Sequence, residues 1–185
     1  MTAAHCVDLA SLNVYFQDFA GGKPKLIWYV AAKEHNFLDT EKGEYLKICK
    51  VLVHEKWNPE NSNEYDLALL FLKRPIAFDD KAYSIRLPTA EIANPKFLNG
   101  KKLNVSGWGR TENGNIAHDG LRATDVIAIS NQECAKYLSN STYIIHDVHL
   151  CAMDKNKKKD SCNGDSGGKI GCMISSILKM NINKE

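Results

Sequence analysis

Short runs rich in Val, Ile, Leu and Tyr alternate with turn residues along most of the chain. Residues 26–31, 46–54, 67–72 and 102–106 read as β-strands. Gly21-Gly22, Asn58-Pro59, Asn99-Gly100 and Asn113-Gly114 break the runs between them. Many short strands with regular turns predict a β-sandwich or barrel. One helix interrupts this pattern. Ser130-Asn131-Gln132-Glu133 fits a capping box, with Ser130 as N-cap and Glu133 at the third helical position. That helix carries Cys134, Tyr137 and Leu138 on or near one face. Repeats and low-complexity linkers are absent, and the segment 87–100, with Pro88 and Pro95, reads as the connection between two halves.

The length of 185 residues suits one domain or two small halves sharing an interface. At 44% apolar residues the chain can build a core. A net charge of only +2, with both signs scattered, gives no electrostatic case for nucleic acid or an acidic membrane. The longest apolar run, 67–72, is far too short to span a bilayer. Six cysteines without paired C-x-x-C spacing favour disulfides in an oxidising compartment over a zinc site. His146-x-x-His149-x-Cys151 leaves a metal as a second possibility.

A serine hydroxyl is a poor nucleophile until a base takes its proton. The base in turn needs a third group to hold its tautomer and stabilise its charged form. One His, one Asp and one Ser must therefore meet in space. Three local motifs offer them: Thr2-Ala3-Ala4-His5-Cys6, Asp66-Leu67-Ala68-Leu69-Leu70 and Gly164-Asp165-Ser166-Gly167-Gly168. Singly, each has a plain structural reading: a solvated His, a strand start, a turn. With Ser106-Gly107-Trp108-Gly109-Arg110 as a fourth, and in the order His, Asp, Ser, they resemble the trypsin/chymotrypsin family of serine endopeptidases. Asp66 follows His5 by 61 residues and Ser166 follows Asp66 by 100. The family spacings are roughly 45 and roughly 93, and surface loops absorb such excesses at little cost.

The resemblance implies an all-β fold of two antiparallel six-stranded barrels, both incomplete here, with one short helix in the second half. Residues 1–87 would be the remainder of the N-terminal barrel, 100–168 a partial C-terminal barrel and 169–185 a tail that does not match the family. It implies hydrolysis of peptide bonds by Ser166 as nucleophile, His5 as base then acid, and Asp66 as the group that orients His5. The backbone N–H groups of Gly164 and Ser166 would form the oxyanion hole. Asp160, six residues before Ser166, falls at the floor of the family's primary specificity pocket, where a carboxylate selects Arg or Lys. Structurally, Asp160 also balances Lys155-Asn156-Lys157-Lys158-Lys159, which reads as a solvated loop. In the family register Cys134 pairs with Cys151, so no metal or other cofactor is expected. Cys6, Cys49, Cys162 and Cys172 stay unassigned. Asn104 and Asn140 both fit the N-glycosylation pattern, and Asn140, outside a buried strand, is the fair acceptor. Protein or peptide substrates with Arg or Lys, and protease inhibitors, are the expected partners, in an extracellular setting.

The departures carry expectations too. In the family the active domain opens with a freed Ile or Val amino group, which pairs with the Asp before the catalytic Ser, here Asp165. Only four residues precede His5, with no export signal among them, so the chain is expected to be cut short at its start. Asp165 is then expected to be an unpaired buried charge or turned to solvent, with a poorly formed oxyanion hole. At the other end, Lys169 replaces the usual Pro, and the Ile-, Lys-, Asn- and Met-rich tail is expected to be intron read-through. The alternative reading is a catalytically inactive truncated homologue, either a binding or decoy protein or a gene-model fragment.

Overall fold

Within the run Glu44-Tyr45-Leu46-Lys47-Ile48, Leu46 is fully buried while its neighbour Tyr45 is exposed, the two sides of one strand. A computed structural model describes residues 1–7, 28–36, 43–61, 64–111, 114, 120–139, 144–156 and 158–172. Among these, β1 (Tyr29–Ala32), β2 (Glu44–Val53) and β3 (Ala68–Leu72) form an antiparallel sheet in the order β1-β2-β3. The register shifts between Ile48 and Lys50, a bulge that bends β2. A second antiparallel sheet has the order β6-β5-β4-β7, from β4 (Lys102–Gly107), β5 (Arg122–Ile129), β6 (Cys151–Met153) and β7 (Ile170–Cys172). The fold is thus mostly antiparallel β, with sheets of three and four strands among the described residues.

Among the described residues two short α-helices accompany the sheets. α1 (Pro95–Leu98) lies within the segment read as a connection. Asn94 caps it by accepting from Lys96 N, and Pro95 stands where a missing N–H costs nothing. α2 (Asn131–Tyr137) starts as its sequence requires, with Ser130 Oγ accepting from Glu133 N at 3.1 Å. Gly21-Gly22 and Asn140 lie outside the described residues.

By packing, the described residues divide into two compact units. The first draws on Met1–Leu87, Trp108–Leu121 and Cys162–Gly168; the second on Pro88–Gly107, Arg122–Ser161 and Lys169 onward. The second unit's core is Leu98, Leu103, Val126 and Ala128. Leu103 and Val126 are direct cross-strand partners, so the two side chains share one buried face. In the first unit Ala4, Ala32, Leu46 and Ala68 are buried. No helix among the described residues is long and apolar enough to cross a membrane.

A charged cluster lies at the end of the sheet where β1 and β3 finish and β2 begins. Lys33, at φ 65, carries Nζ 2.8 Å from Asp79 Oδ2 and 3.5 Å from Glu44 Oε2, and Arg74 Nη1 reaches Glu44 Oε1 at 2.5 Å. The Lys33 ammonium, then the Lys81 and Ala82 amides, hold the Asp79 carboxyl below its ordinary 3.8. A carboxyl depressed on folding stabilises above its unfolded value and loses that contribution as pH falls through the folded one. Asp79→Asn is therefore expected to lower the urea midpoint slightly at pH 7, with the gap to wild type closing well below pH 3.8. An equal gap at both pH values would show that the ion pair contributes nothing.

Candidate active site

Two backbone hydrogen bonds place the first residues of the chain. Thr2 N donates to Ala68 O at 2.9 Å and Ala68 N to Thr2 O at 2.8 Å. This bridge sets the opening segment against the start of β3, two residues past Asp66. A 3-10 turn over Ala4–Cys6 then brings His5 beside Asp66. One Asp66 oxygen accepts from His5 N at 2.8 Å, and the other lies 2.6 Å from His5 Nδ1. The carboxylate so grips backbone and ring together. With Nδ1 facing a carboxylate, that nitrogen keeps the proton and Nε2 is left with its lone pair. His5 is exposed, its side chain at 43% against 27% for Asp66, so Nε2 is within reach of a reactant.

Asp66 itself follows a strained residue. Tyr65 has φ 56, which only a few per cent of non-glycine residues adopt. Its ring stacks on His54 at 5.0 Å with Lys56 Nζ 5.5 Å from the ring centroid, and Leu67 N donates to Tyr65 O at 2.7 Å. These contacts hold the backbone twist that turns Asp66 toward His5. Nothing in the sequence marks Tyr65; an aromatic before the Asp motif has no local signature of positive φ.

Ser166 sits on paired turns. Asp165 N donates to Cys162 O and Gly168 N to Asp165 O, each closing a four-residue turn. The third residue of each turn is glycine with positive φ, Gly164 at 98 and Gly167 at 76, as this turn geometry demands. A Cβ on Gly167 would stand 3.0 Å from Ala3 N, so the turn runs hard against the segment that carries His5. At Nε2 the hydrogen bond shown is to Cys6 Sγ at 3.5 Å, and none joins His5 to Ser166 among the described residues. Burial, with the Asp66 charge adding, pushes the Cys6 thiol above its ordinary 9.0, so it stays protonated at neutral pH. A thiol is a weak hydrogen-bond donor, and a hydroxyl replaces it at little cost.

Asp165 corrects an expectation. It is neither unpaired nor turned out: Oδ1 accepts from Gly109 N and Oδ2 from Cys162 N, both at 2.8 Å. Two amides satisfy this half-buried carboxylate. They also tie the turns around Ser166 to the Trp108–Gly109 segment. That segment is fixed in turn by Trp108 Nε1 donating to His35 O at 3.1 Å and by Arg110 N donating to Asn163 O at 2.9 Å. Gly109 is buried, and a Cβ there would stand 2.6 Å from the Asp165 carboxyl. His5, Asp66, Asp165 and Ser166 all belong to the first unit.

The remaining residues singled out from the sequence lie elsewhere. Asp160, in the second unit, is exposed, and its Oδ1 accepts from Ser161 N at 2.8 Å. Cys134 and Cys151 are joined by a disulfide between α2 and β6, with Cα atoms 6.1 Å apart. Cys6, Cys49 and Cys162 are free thiols. His146 and His149 turn to each other, His146 N donating to His149 Nδ1, and no metal-ligand cluster occurs among the described residues. Asn104 is part-buried in β4 and directs Nδ2 toward Thr124 O and Asp125.

Comparison with known proteins gives a consistent result. The family model described as Trypsin matches residues 1–175, running past Gly168 into the segment read as a tail. Trypsin 5G1 of Aedes aegypti is 35% identical over 171 residues, covering 92% of this chain and 56% of that protein. Kallikrein 1-related peptidase b11 of Mus musculus is 32% identical over 173 residues, covering 93% of this chain and 61% of that protein. The solved structure of neuropsin, a serine protease expressed in the limbic system of mouse brain, superposes with a TM-score of 0.70 at 24% identity. That superposition covers 93% of this chain and 66% of neuropsin's. The chain thus spans a little over half the length of the curated relatives it matches.

Proposed function

Because this chain belongs to the trypsin family of serine-type endopeptidases, we propose that it carries the catalytic centre of a secreted enzyme that cuts peptide bonds after Arg or Lys. The observation that carries this reading is the double grip of Asp66 on His5, through ring and backbone at once. It leaves Nε2 as the one basic nitrogen free to exchange its weak thiol contact for the hydroxyl of Ser166. In the proposed reaction Nε2 takes the Ser166 proton as Oγ attacks the carbonyl carbon of the substrate. Asp66 stabilises the imidazolium that forms. The Gly164 and Ser166 amides, held by the Asp165 anchorage, receive the oxyanion. His5 then returns the proton to the leaving amine, and water releases the acyl group by the same steps in reverse. Asp160 is assigned the choice of a cationic side chain, since a carboxylate withdrawn from water by the substrate needs a charge to meet it.

The test is turnover of fluorogenic Arg, Lys and Phe esters by the chain, beside Ser166→Ala and Asp160→Ser. The expected result is hydrolysis of Arg and Lys esters, its loss in Ser166→Ala, and loss of the preference for cations in Asp160→Ser. Labelling by a fluorophosphonate at Ser166 reports the nucleophile independently of specificity. Absence of both labelling and turnover in folded protein would rule out the catalytic reading in favour of an inactive homologue. A preference for Phe would overturn the assignment of Asp160 alone.

A further inference from the structure

We propose that Asn163 is a modification site: its side chain cyclises onto the backbone nitrogen of Gly164 and opens to isoaspartate, which disables the proposed oxyanion donors. The chemical step stands on the geometry alone, while its effect on turnover rests on reading the Gly164 and Ser166 amides as those donors. An asparagine before a glycine is the pair most open to this reaction, because no Cβ shields the attacking nitrogen. The sequence holds three such pairs, Asn99-Gly100, Asn113-Gly114 and Asn163-Gly164. What separates them is the glycine nitrogen. Gly100 N donates to Ala128 O and Gly114 N to Thr111 O, both at 2.8 Å. Gly164 N meets no acceptor among the described residues, and the Asn163 side chain has no hydrogen-bond partner among them either. Asn163 and Gly164 are both exposed, on the turn that Asp165 N closes onto Cys162 O. Position 164 is also bound to be glycine, with φ 98 and with a Cβ there only 3.1 Å from Gly109 Cα. An amide that must stay unpaired to receive an oxyanion is, for the same reason, open as a nucleophile.

In the reaction Gly164 N gives up its proton and bonds to Asn163 Cγ. The Cγ–Nδ2 bond breaks, and Nδ2 leaves as ammonia with that proton. Water then opens the cyclic succinimide, its hydroxyl joining one carbonyl carbon and its other proton the ring nitrogen. Opening at Cγ gives aspartate on the original backbone. Opening at the former main-chain carbonyl carbon gives isoaspartate, whose backbone runs through Cβ and Cγ and is one carbon longer. Either product adds a negative charge close to Asp165. The isoaspartyl product does more. The Asn163 carbonyl that accepts from Arg110 N at 2.9 Å leaves the main chain, and the added carbon breaks the four-residue geometry of the Cys162–Asp165 turn. Gly164 N then moves relative to Ser166 N. The chain thus loses turnover with age, and a reactant engaging Gly164 N delays the loss.

The experiment incubates the folded Ser166→Ala chain, the active chain and Asn163→Gln at mildly alkaline pH. Isoaspartate is followed by methyltransferase labelling and peptide mapping, and ester turnover is read on the same active samples. A parallel active sample is kept under a peptidyl-arginine aldehyde. Isoaspartate is expected at Asn163 roughly tenfold faster than at Asn99, the worth of the hydrogen bond that Gly100 N must first release. In urea the two rates should converge. Turnover of the modified molecules is expected to fall at least about a hundredfold, the size of one lost oxyanion donor, while Asn163→Gln keeps the turnover it starts with. The aldehyde adduct, whose oxyanion engages Gly164 N, should slow the modification. An intact Asn163, or one no faster than Asn99 in the folded chain, overturns the inference. Modification of Asn163 with turnover unchanged overturns the claimed loss of donors. If fresh active chain neither turns over esters nor takes a fluorophosphonate, yet Asn163 is modified, the proposed function fails and the modification site stands.

Discussion

Asp66→Asn is expected to lower kcat on an Arg ester by about ten-thousandfold while leaving KM within a few fold. The amide oxygen can still accept from His5 N, so the backbone grip survives. The amide nitrogen, however, donates where the carboxylate accepted. Facing it, Nδ1 must accept, and the ring proton moves to Nε2, the nitrogen proposed as base. The nucleophile is then left without a proton acceptor, and the imidazolium without a counter-charge. Because the substitution is nearly isosteric at a part-exposed site, the fold should be kept, which a matching thermal midpoint checks. Steady-state kinetics with NMR of the His5 ring protons gives both the rate and the tautomer. A loss below about tenfold would show that Asp66 does not set the state of His5 during turnover.

Gly109→Ala is expected to lower kcat by roughly a hundredfold to a thousandfold, the size of losing one oxyanion donor. The cause is steric. The new methyl would stand 2.6 Å from the Asp165 carboxyl, inside van der Waals contact, and Gly109 is buried, so the carboxylate must yield. Once displaced, Asp165 gives up the Gly109 and Cys162 amides that anchor it. The turns that carry the proposed oxyanion donors, the Gly164 and Ser166 amides, then lose that anchor. The proposed triad residues are untouched, so a fluorophosphonate is expected still to label Ser166, though slowly, and a simple cationic inhibitor to bind as before. Unchanged kcat with an intact fold would mean that the Asp165 anchorage does not position the oxyanion donors. Asp165→Asn separates the geometric role from the charge, since it keeps an acceptor for one of the two amides.

Local chemistry was the part legible in the chain. The Ser130 cap and its helix, the strands β2, β3 and β4 to within two residues at each end, and the all-β class follow from neighbours in sequence. So do the glycines at 164 and 167, because a tight turn is a four-residue matter. The residues proposed to carry the chemistry were equally visible, since His5, Asp66 and Ser166 each lie in a short motif. The helix α1 was hidden by its prolines: Pro88 and Pro95 read as a linker, whereas Pro95 in the first turn of a helix is well placed.

The partners of those residues came only from the tertiary structure. Asp165 was expected to lack a partner because the freed Ile or Val amino group, which the family resemblance assigns to it, was not read in the sequence. Its actual partner, the Gly109 amide, lies 56 residues away and belongs to a backbone that carries no side-chain signal. Which Asp66 oxygen meets ring and which meets backbone, across 61 residues, is likewise set by the Thr2–Ala68 bridge and the Tyr65 twist. Packing also draws Trp108–Leu121 and Cys162–Gly168 into the first unit, although in sequence they follow the 87–100 segment. Neighbours in sequence sufficed for α2, β2, β3 and β4 and for naming the candidate reactive residues, because propensity, capping and turn geometry act over a few neighbours. Structure alone decided what each reactive group faces, because backbone amides are identical at every position and only the folded path says which of them converge.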